Sequence, residues 1–167
     1  RHRSDRSLLA ALAPWRFLPL ASPFKSIAAM KVHHLLLATE CPFGGRLVSG
    51  GHTSILAPAE LAVHALLVET PSDGLVLVDT GMGLEDVRAP RRRLGFDFVA
   101  LARPRLREED TAARQVERLG FSRRDVRHVV ITHLDPDHAG GLADFPEASV
   151  HVHRAEREAA ENPPTFG

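Results

Sequence analysis

The run Thr132-His133-Leu134-Asp135-Pro136-Asp137-His138-Ala139-Gly140-Gly141 constrains this chain more than any other segment. Four side chains able to bind a metal fall within six residues, His133 to His138, directly after the β-branched stretch 128–132 and before two glycines. A buried strand fixes the backbone and the loop leaving it aims the side chains, so strand ends suit open metal sites. Neighbouring residues on a regular strand point to opposite faces. Asp137 and His138 therefore converge on one ion only if the chain turns there, and Pro136 with the glycines supplies the turn. The bland alternative is a solvated acidic loop with an incidental histidine pair. With one cysteine, Cys41, against ten histidines, metal chemistry here must run on imidazole and carboxylate, and no internal disulfide can form.

The rest of the chain frames that loop. The 167 residues suit one domain or part of a larger one. Residues 31–37 and 60–69 read as strands, and residues 41–45 and 49–51 as turns. Pro71-Ser72-Asp73-Gly74 is a hairpin turn. Leu75-Val76-Leu77-Val78 reads as a strand buried on both faces, running into Asp79-Thr80-Gly81. Residues 88–107 suggest a loop or short helix. Glu108, Glu109 and Asp110 mark a helix start, Ala112, Val116 and Leu119 share one helical face, and Gly120 stops it. Ser122 and Asp125 form a loose capping box. Residues 128–132 and 149–153 are strands, followed by a helix over 154–161. Strands and helices mixed in this order indicate an α/β (α+β layered) domain.

The 21 Lys and Arg balance 21 Asp and Glu, against a dedicated nucleic-acid binder, and no stretch is long and apolar enough to span a membrane. Residues 1–29 are basic, with Asp5 the single acid. Pro14, Arg16 and Pro19 interrupt their apolar run, which weakens a signal-peptide reading, while a transit peptide fits the composition. The plainer expectation is a disordered or non-native extension, with the start at Met30 and a cytoplasmic location.

On these residues the sequence resembles the metallo-β-lactamase fold superfamily of metal-dependent hydrolases, whose signature is H-x-H-x-D-H after a strand. The upstream Leu77-Val78-Asp79-Thr80-Gly81-Met82-Gly83 is similar to the turn that accompanies that signature. The likeness is strongest to the branch of N-acyl homoserine lactonases, through His138-Ala139-Gly140-Gly141, Val150-His151-Val152-His153 and Glu156-Arg157-Glu158-Ala159-Ala160. The acidic 108–110 and Leu119-Gly120-Phe121 also look like that branch. The resemblance implies that residues 30–167 are the N-terminal half of an αββα sandwich, truncated at the C-terminus.

It further implies two divalent metal ions and a small-molecule substrate. His133 and Asp135 would bind the first ion, Asp137 and His138 the second, and Asp79 would orient the motif from behind. Asp135 departs from the family, which carries His there. A carboxylate is a harder ligand, so zinc remains the first expectation with iron or manganese close behind; the flavodiiron branch has Glu at this position and uses iron. A metal pair lowers the pKa of a bound water, and the resulting hydroxide would attack an ester or lactone carbonyl. Asp137 would shuttle the proton to the leaving group. Thioester or phosphodiester hydrolysis, a di-iron redox role, and a non-catalytic binding module remain the alternatives.

Other constellations carry less. Gly51-His52-Thr53 has the letters of a family metal turn but lies upstream of the motif. His151 and His153 alternate with valine and share a strand face. His33, His34 and His64 read as ordinary strand histidines, Cys41 as a buried or loop thiol, and Arg91-Arg92-Arg93 as a solvated run. Gly81-Met82-Gly83 lacks the rest of a phosphate-binding loop. The family's later ligands would lie beyond Gly167, so these residues alone are expected to bind metal weakly and hydrolyse nothing at a useful rate. Turnover by the 167-residue chain after purification in the presence of chelator would overturn that expectation.

Overall fold

In the computed structural model, residues 30–50 and 54–162 are described. The expectations placed on residues 1–29 and on His52 lie outside them. In chain order the elements are β1 (Lys31–Glu40), α1 (Gly45–Ser49), β2 (Leu61–Glu69), β3 (Leu75–Val78), α2 (Leu84–Arg88), α3 (Pro90–Arg93), α4 (Phe96–Ala102), α5 (Ala112–Arg118), β4 (Val126–Ile131), α6 (Pro136–Ala139), β5 (Ser149–Val152) and α7 (Arg154–Glu161). Short 3-10 turns occupy Glu108–Asp110, Arg123–Asp125 and Gly140–Asp144. No described helix is long and apolar enough to cross a membrane.

The strands form one sheet in the order β1-β2-β3-β4-β5. The β2–β3 turn is the one expected: the Thr70 amide and hydroxyl both donate to the Gly74 carbonyl, and the Asp73 amide donates to Thr70 Oγ1. β1, β2 and β3 pair antiparallel, whereas β4 and β5 run parallel to β3. The carboxyl ends of β1, β3, β4 and β5 therefore lie at one end of the sheet. That end is where open sheets with parallel strands bind ligands.

One face of the sheet carries the core. Leu35, Leu37, Leu67, Leu77, Val129 and Ile131 bury against Ala112, Ala113 and Val116 of α5, with Leu84 and Phe145. The other face is thinly covered: Val32 is 46% exposed, Leu36 58% and Val130 38%. Of the strand expected to be buried on both faces, Leu75 and Leu77 are buried while Val76 and Val78 are only half so.

Several local expectations need correction. The helix expected to start on the acids 108–110 starts after Thr111, whose hydroxyl accepts from the Arg114 amide; the acids form a separate 3-10 turn before it. Leu119 is 39% exposed, because the helix has already ended and the chain is turning towards Gly120, at φ 89°. The basic stretch 88–107 is more helical than expected, and a short helix, Gly45–Ser49, runs between the two stretches read as turns. His153 has left the strand face to cap α7, its Nδ1 accepting from the Ala155 amide. The Ser122–Asp125 capping box is present.

Leu77→Ala should destabilise the chain by about 3 kcal/mol through the cavity it leaves. Leu36→Ala, on the bare face, should change stability by less than about 0.5 kcal/mol. Urea unfolding followed by circular dichroism measures both, and equal losses would show that the two faces are equally packed.

Candidate metal centre

β3 ends one residue before Asp79, and β4 ends one residue before Thr132. Asp79 is 5% exposed and takes a left-handed φ of 58°. Its Oδ1 accepts from the Thr132 amide at 2.8 Å, and its Oδ2 accepts from the Thr132 hydroxyl at 2.7 Å and from His138 Nδ1 at 2.9 Å. One buried carboxylate thus holds the first and the seventh residues of the loop. Behind it, the Thr80 amide and hydroxyl both donate to the His138 carbonyl, and the Gly141 amide donates to the Gly81 carbonyl. Gly81 sits at φ 64°, where a side chain would be strained and would strike Leu37.

Within the loop, Asp135 caps α6 with its backbone. Its carbonyl accepts from the His138 and Ala139 amides, and Pro136 occupies the first helical turn, where its missing N–H costs nothing. This single turn brings Asp137 and His138 to the same side. The Leu134 amide donates to Glu156 of α7, which ties the loop to the following helix. The Gly140–Asp144 turn is anchored from below, where Asp144 accepts from the Leu84 amide and buried Asp86 accepts from the Gly83 amide and Arg93. Burial pushes the Asp144 carboxyl above the usual carboxylate range, against the pull of the Leu84 N–H.

The hydrogen bonds fix which imidazole nitrogens carry protons. The Asp79 carboxylate can only accept, so His138 Nδ1 must donate to it, and in the neutral ring Nε2 is then the nitrogen with the lone pair. The Thr132 hydroxyl gives its one proton to Asp79, so His133 Nδ1, 3.1 Å from Thr132 Oγ1, must also donate. Both Nε2 atoms lie beside carboxylates: His138 Nε2 is 3.2 Å from Asp137 Oδ2, and His133 Nε2 is 3.4 Å from Asp135 Oδ2. Two acceptors at that distance repel unless a proton or a cation lies between them. The spacing matches the edge of a tetrahedral metal site, about 3.4 Å for bonds near 2.1 Å. The two imidazole rings lie side by side, 3.9 Å between centroids.

The four motif residues are therefore brought together as two donor pairs. Among the described residues, no three His, Cys, Asp or Glu side chains gather closely enough to hold an ion. The other histidines lie apart on the sheet: His33 bonds Glu69, His34 lies beside His64, and His128 contacts His151 at 3.0 Å. Sequence reading misses Glu40, the last residue of β1, at the same end of the sheet. Its Oε1 is buried with no hydrogen-bond partner among the described residues. Burial raises its carboxyl above the usual range, the Asp137 charge raises it further, and His138 opposes both. The one available signal is an acid closely following the apolar run Leu35–Ala38 at the end of the strand.

Comparison with known proteins places this geometry. The model of the metallo-beta-lactamase superfamily matches residues 58–167. A probable metallo-hydrolase of Mycobacterium tuberculosis is 47% identical over 137 residues, which is 82% of this chain and 39% of that protein. An N-acyl homoserine lactonase of a Bacillus species is 36% identical over 112 residues, 65% of this chain and 44% of that protein. Among solved structures, an N-acyl homoserine lactone hydrolase with the product N-hexanoyl-L-homoserine bound at its catalytic metal centre superposes with a TM-score of 0.61 at 30% identity. That match covers 82% of this chain and 54% of the other. The chain thus spans about half, or less, of the proteins it matches.

Asp79→Ala should strip acceptors from the Thr132 amide, the Thr132 hydroxyl and His138 Nδ1, destabilising the fold by about 3 kcal/mol. In ¹⁵N spectra, the neutral His138 ring should carry its proton on Nδ1 in the parent and be mixed between tautomers in the variant. An unchanged tautomer in Asp79→Ala would show that the carboxylate does not set it.

Proposed function

The chain belongs to the metallo-beta-lactamase superfamily, and from that membership we propose that it is part of a metal-dependent hydrolase of a small ester or lactone. The observation that carries this reading is the pair of imidazole Nε2 atoms beside carboxylate oxygens at 3.2 and 3.4 Å, the spacing of two donors on one metal ion. His133 and Asp135 hold one divalent ion, and Asp137 and His138 hold a second. Asp79 fixes the His138 ring by taking its Nδ1 proton, as carboxylates behind metal-binding histidines commonly do. When bound, the ion pair supplies a nucleophilic water at neutral pH and polarises the substrate carbonyl. Zinc suits the two imidazoles, and the Asp135 carboxylate opens the first position to iron or manganese.

The residues of this chain have defined tasks in that reading. The 79–81 turn and the 132–141 loop hold the donor pairs rigidly, so little reorganisation is needed when substrate arrives. Asp137, half-buried beside His138, carries a proton towards the leaving oxygen. Two donors per ion fall short of the four a zinc site commonly has. The remaining donors belong to the length that the relatives possess beyond the matched stretch, which makes residues 30–167 the N-terminal part of the domain. The bare sheet face supports the same division, since it leaves apolar area for a second layer to cover. The lactonase relatives favour a lactone over a thioester or a phosphodiester.

Metal analysis of the full-length protein, purified without added metal, should find about two equivalents per chain. Hydrolysis of an N-acyl homoserine lactone should exceed that of a thioester or a phosphodiester, and His133→Ala or Asp137→Asn should lower kcat/KM at least about 100-fold. Bound metal without lactone hydrolysis would move the substrate to another class. Absence of metal would overturn the hydrolase reading and leave a binding module.

A further inference from the structure

We propose that the apolar patch of Phe43, Leu47, Phe96 and Leu101, with the arginines around it, is a docking surface for an anionic lipid membrane. The chain would rest on the bilayer without crossing it. The inference lies outside the metal reading and does not depend on it.

Two segments distant in sequence build the patch. Beyond β1, the Cys41 amide donates to the Ala102 carbonyl at the end of α4, and Glu40 bridges Pro104. The Arg103 guanidinium lies over the Phe43 ring, 4.2 Å from its centre. The end of α4 is thereby fastened beside the approach to α1. Along α4, Phe98, Val99 and Ala102 are half-buried, whereas Phe96, Asp97, Ala100 and Leu101 stand in solvent. Phe43 is 66% exposed, Leu47 79%, Phe96 68% and Leu101 72%. One such side chain in water is ordinary, but four large ones on two adjoining segments mark an interaction site. After α4 the chain returns along the helix-covered side, where Leu106 lines a small cavity with Leu37 and Ala38. The patch is therefore separate from the bare face of the sheet.

Charge selects the occupant. Seven arginines and a single acid, Asp97, lie between Arg88 and Arg107. Arg88, Arg92, Arg93 and Arg105 pair with acids. Arg91, Arg103 and Arg107 are exposed and have no ion pair among the described residues. Apolar side chains bordered by unpaired cations suit a partner that offers hydrocarbon and negative charge together, as an anionic lipid interface does. Arg103 meets both needs, with its stem beside Phe43 and its cation free to reach headgroup phosphates. A second copy of the chain, related by a two-fold axis, would instead bring the same cations face to face.

Co-sedimentation of the full-length protein with vesicles tests the proposal, using phosphatidylcholine alone and phosphatidylcholine mixed equally with phosphatidylglycerol. Binding should be at least about tenfold tighter to the anionic vesicles and should fall as salt is raised. Phe43→Ser combined with Leu101→Ser should weaken that binding at least about tenfold, and so should Arg103→Asn combined with Arg107→Gln. Asparagine suits the left-handed backbone of residue 103, at φ 49°, so the second variant should keep its fold. Circular dichroism checks folding, and Leu47→Ser alone decides the apolar part if the serine pair unfolds the chain. Equal binding to both vesicles, parent-like binding by folded variants, or no binding at all would overturn the proposal. Self-association in sedimentation velocity that the same substitutions abolish, without vesicle binding, would overturn it in favour of a second copy of the chain.

Discussion

The Asp79 carboxylate is the joint on which the candidate site depends. β3 and β4 are neighbouring parallel strands, and nothing in their ladder dictates the shape of the loop beyond them. Asp79 supplies that shape by accepting from the Thr132 amide, the Thr132 hydroxyl and the His138 ring. It does so from a left-handed backbone position that aspartate tolerates better than most residues. Removing the carboxylate from water is offset by three donors, one of which fixes an imidazole tautomer. The same group therefore stabilises the fold and decides which nitrogen faces outward.

Much of this was legible because its causes are local. The β2–β3 turn follows from Pro71-Ser72-Asp73-Gly74, and the convergence of Asp137 and His138 follows from Pro136 placed just after a strand. Asp79 could be placed near the loop only through the resemblance of residues 77–83 to the family's turn. Other features were hidden because their causes are distant or competitive. Thr111 outcompetes the preceding acids as the cap of α5, since its hydroxyl reaches the Arg114 amide directly. His153 looks like a strand residue by alternation but is taken by the start of α7. Glu40 lies 97 positions before Asp137 in the chain numbering, and its place at the same end of the sheet follows only from strand order, past a bulge between Leu36 and Ala38. Periodicity cannot announce a bulge, which interrupts the periodicity itself.

The two faces of the sheet tell different stories. The helix-covered face buries a continuous set of leucines and valines, while across the other runs the row His34, Leu66, Val78, Val130, His151. Val130 in that row remains 38% exposed. Apolar side chains in register across the three central strands are unusual on a solvated surface, where alternation normally gives polar residues. That row leaves apolar area that the described residues do not cover.

Asp135 occupies a position whose architectural task is performed entirely by its backbone. The carbonyl accepts the two amide protons that begin α6, and any amino acid offers the same carbonyl. Its side chain is 74% exposed and bonds nothing in the surrounding scaffold. Substitution there leaves the loop frame untouched. Under the metal reading proposed above, it is the position where a lineage could exchange one donor element for another without first paying in foldability.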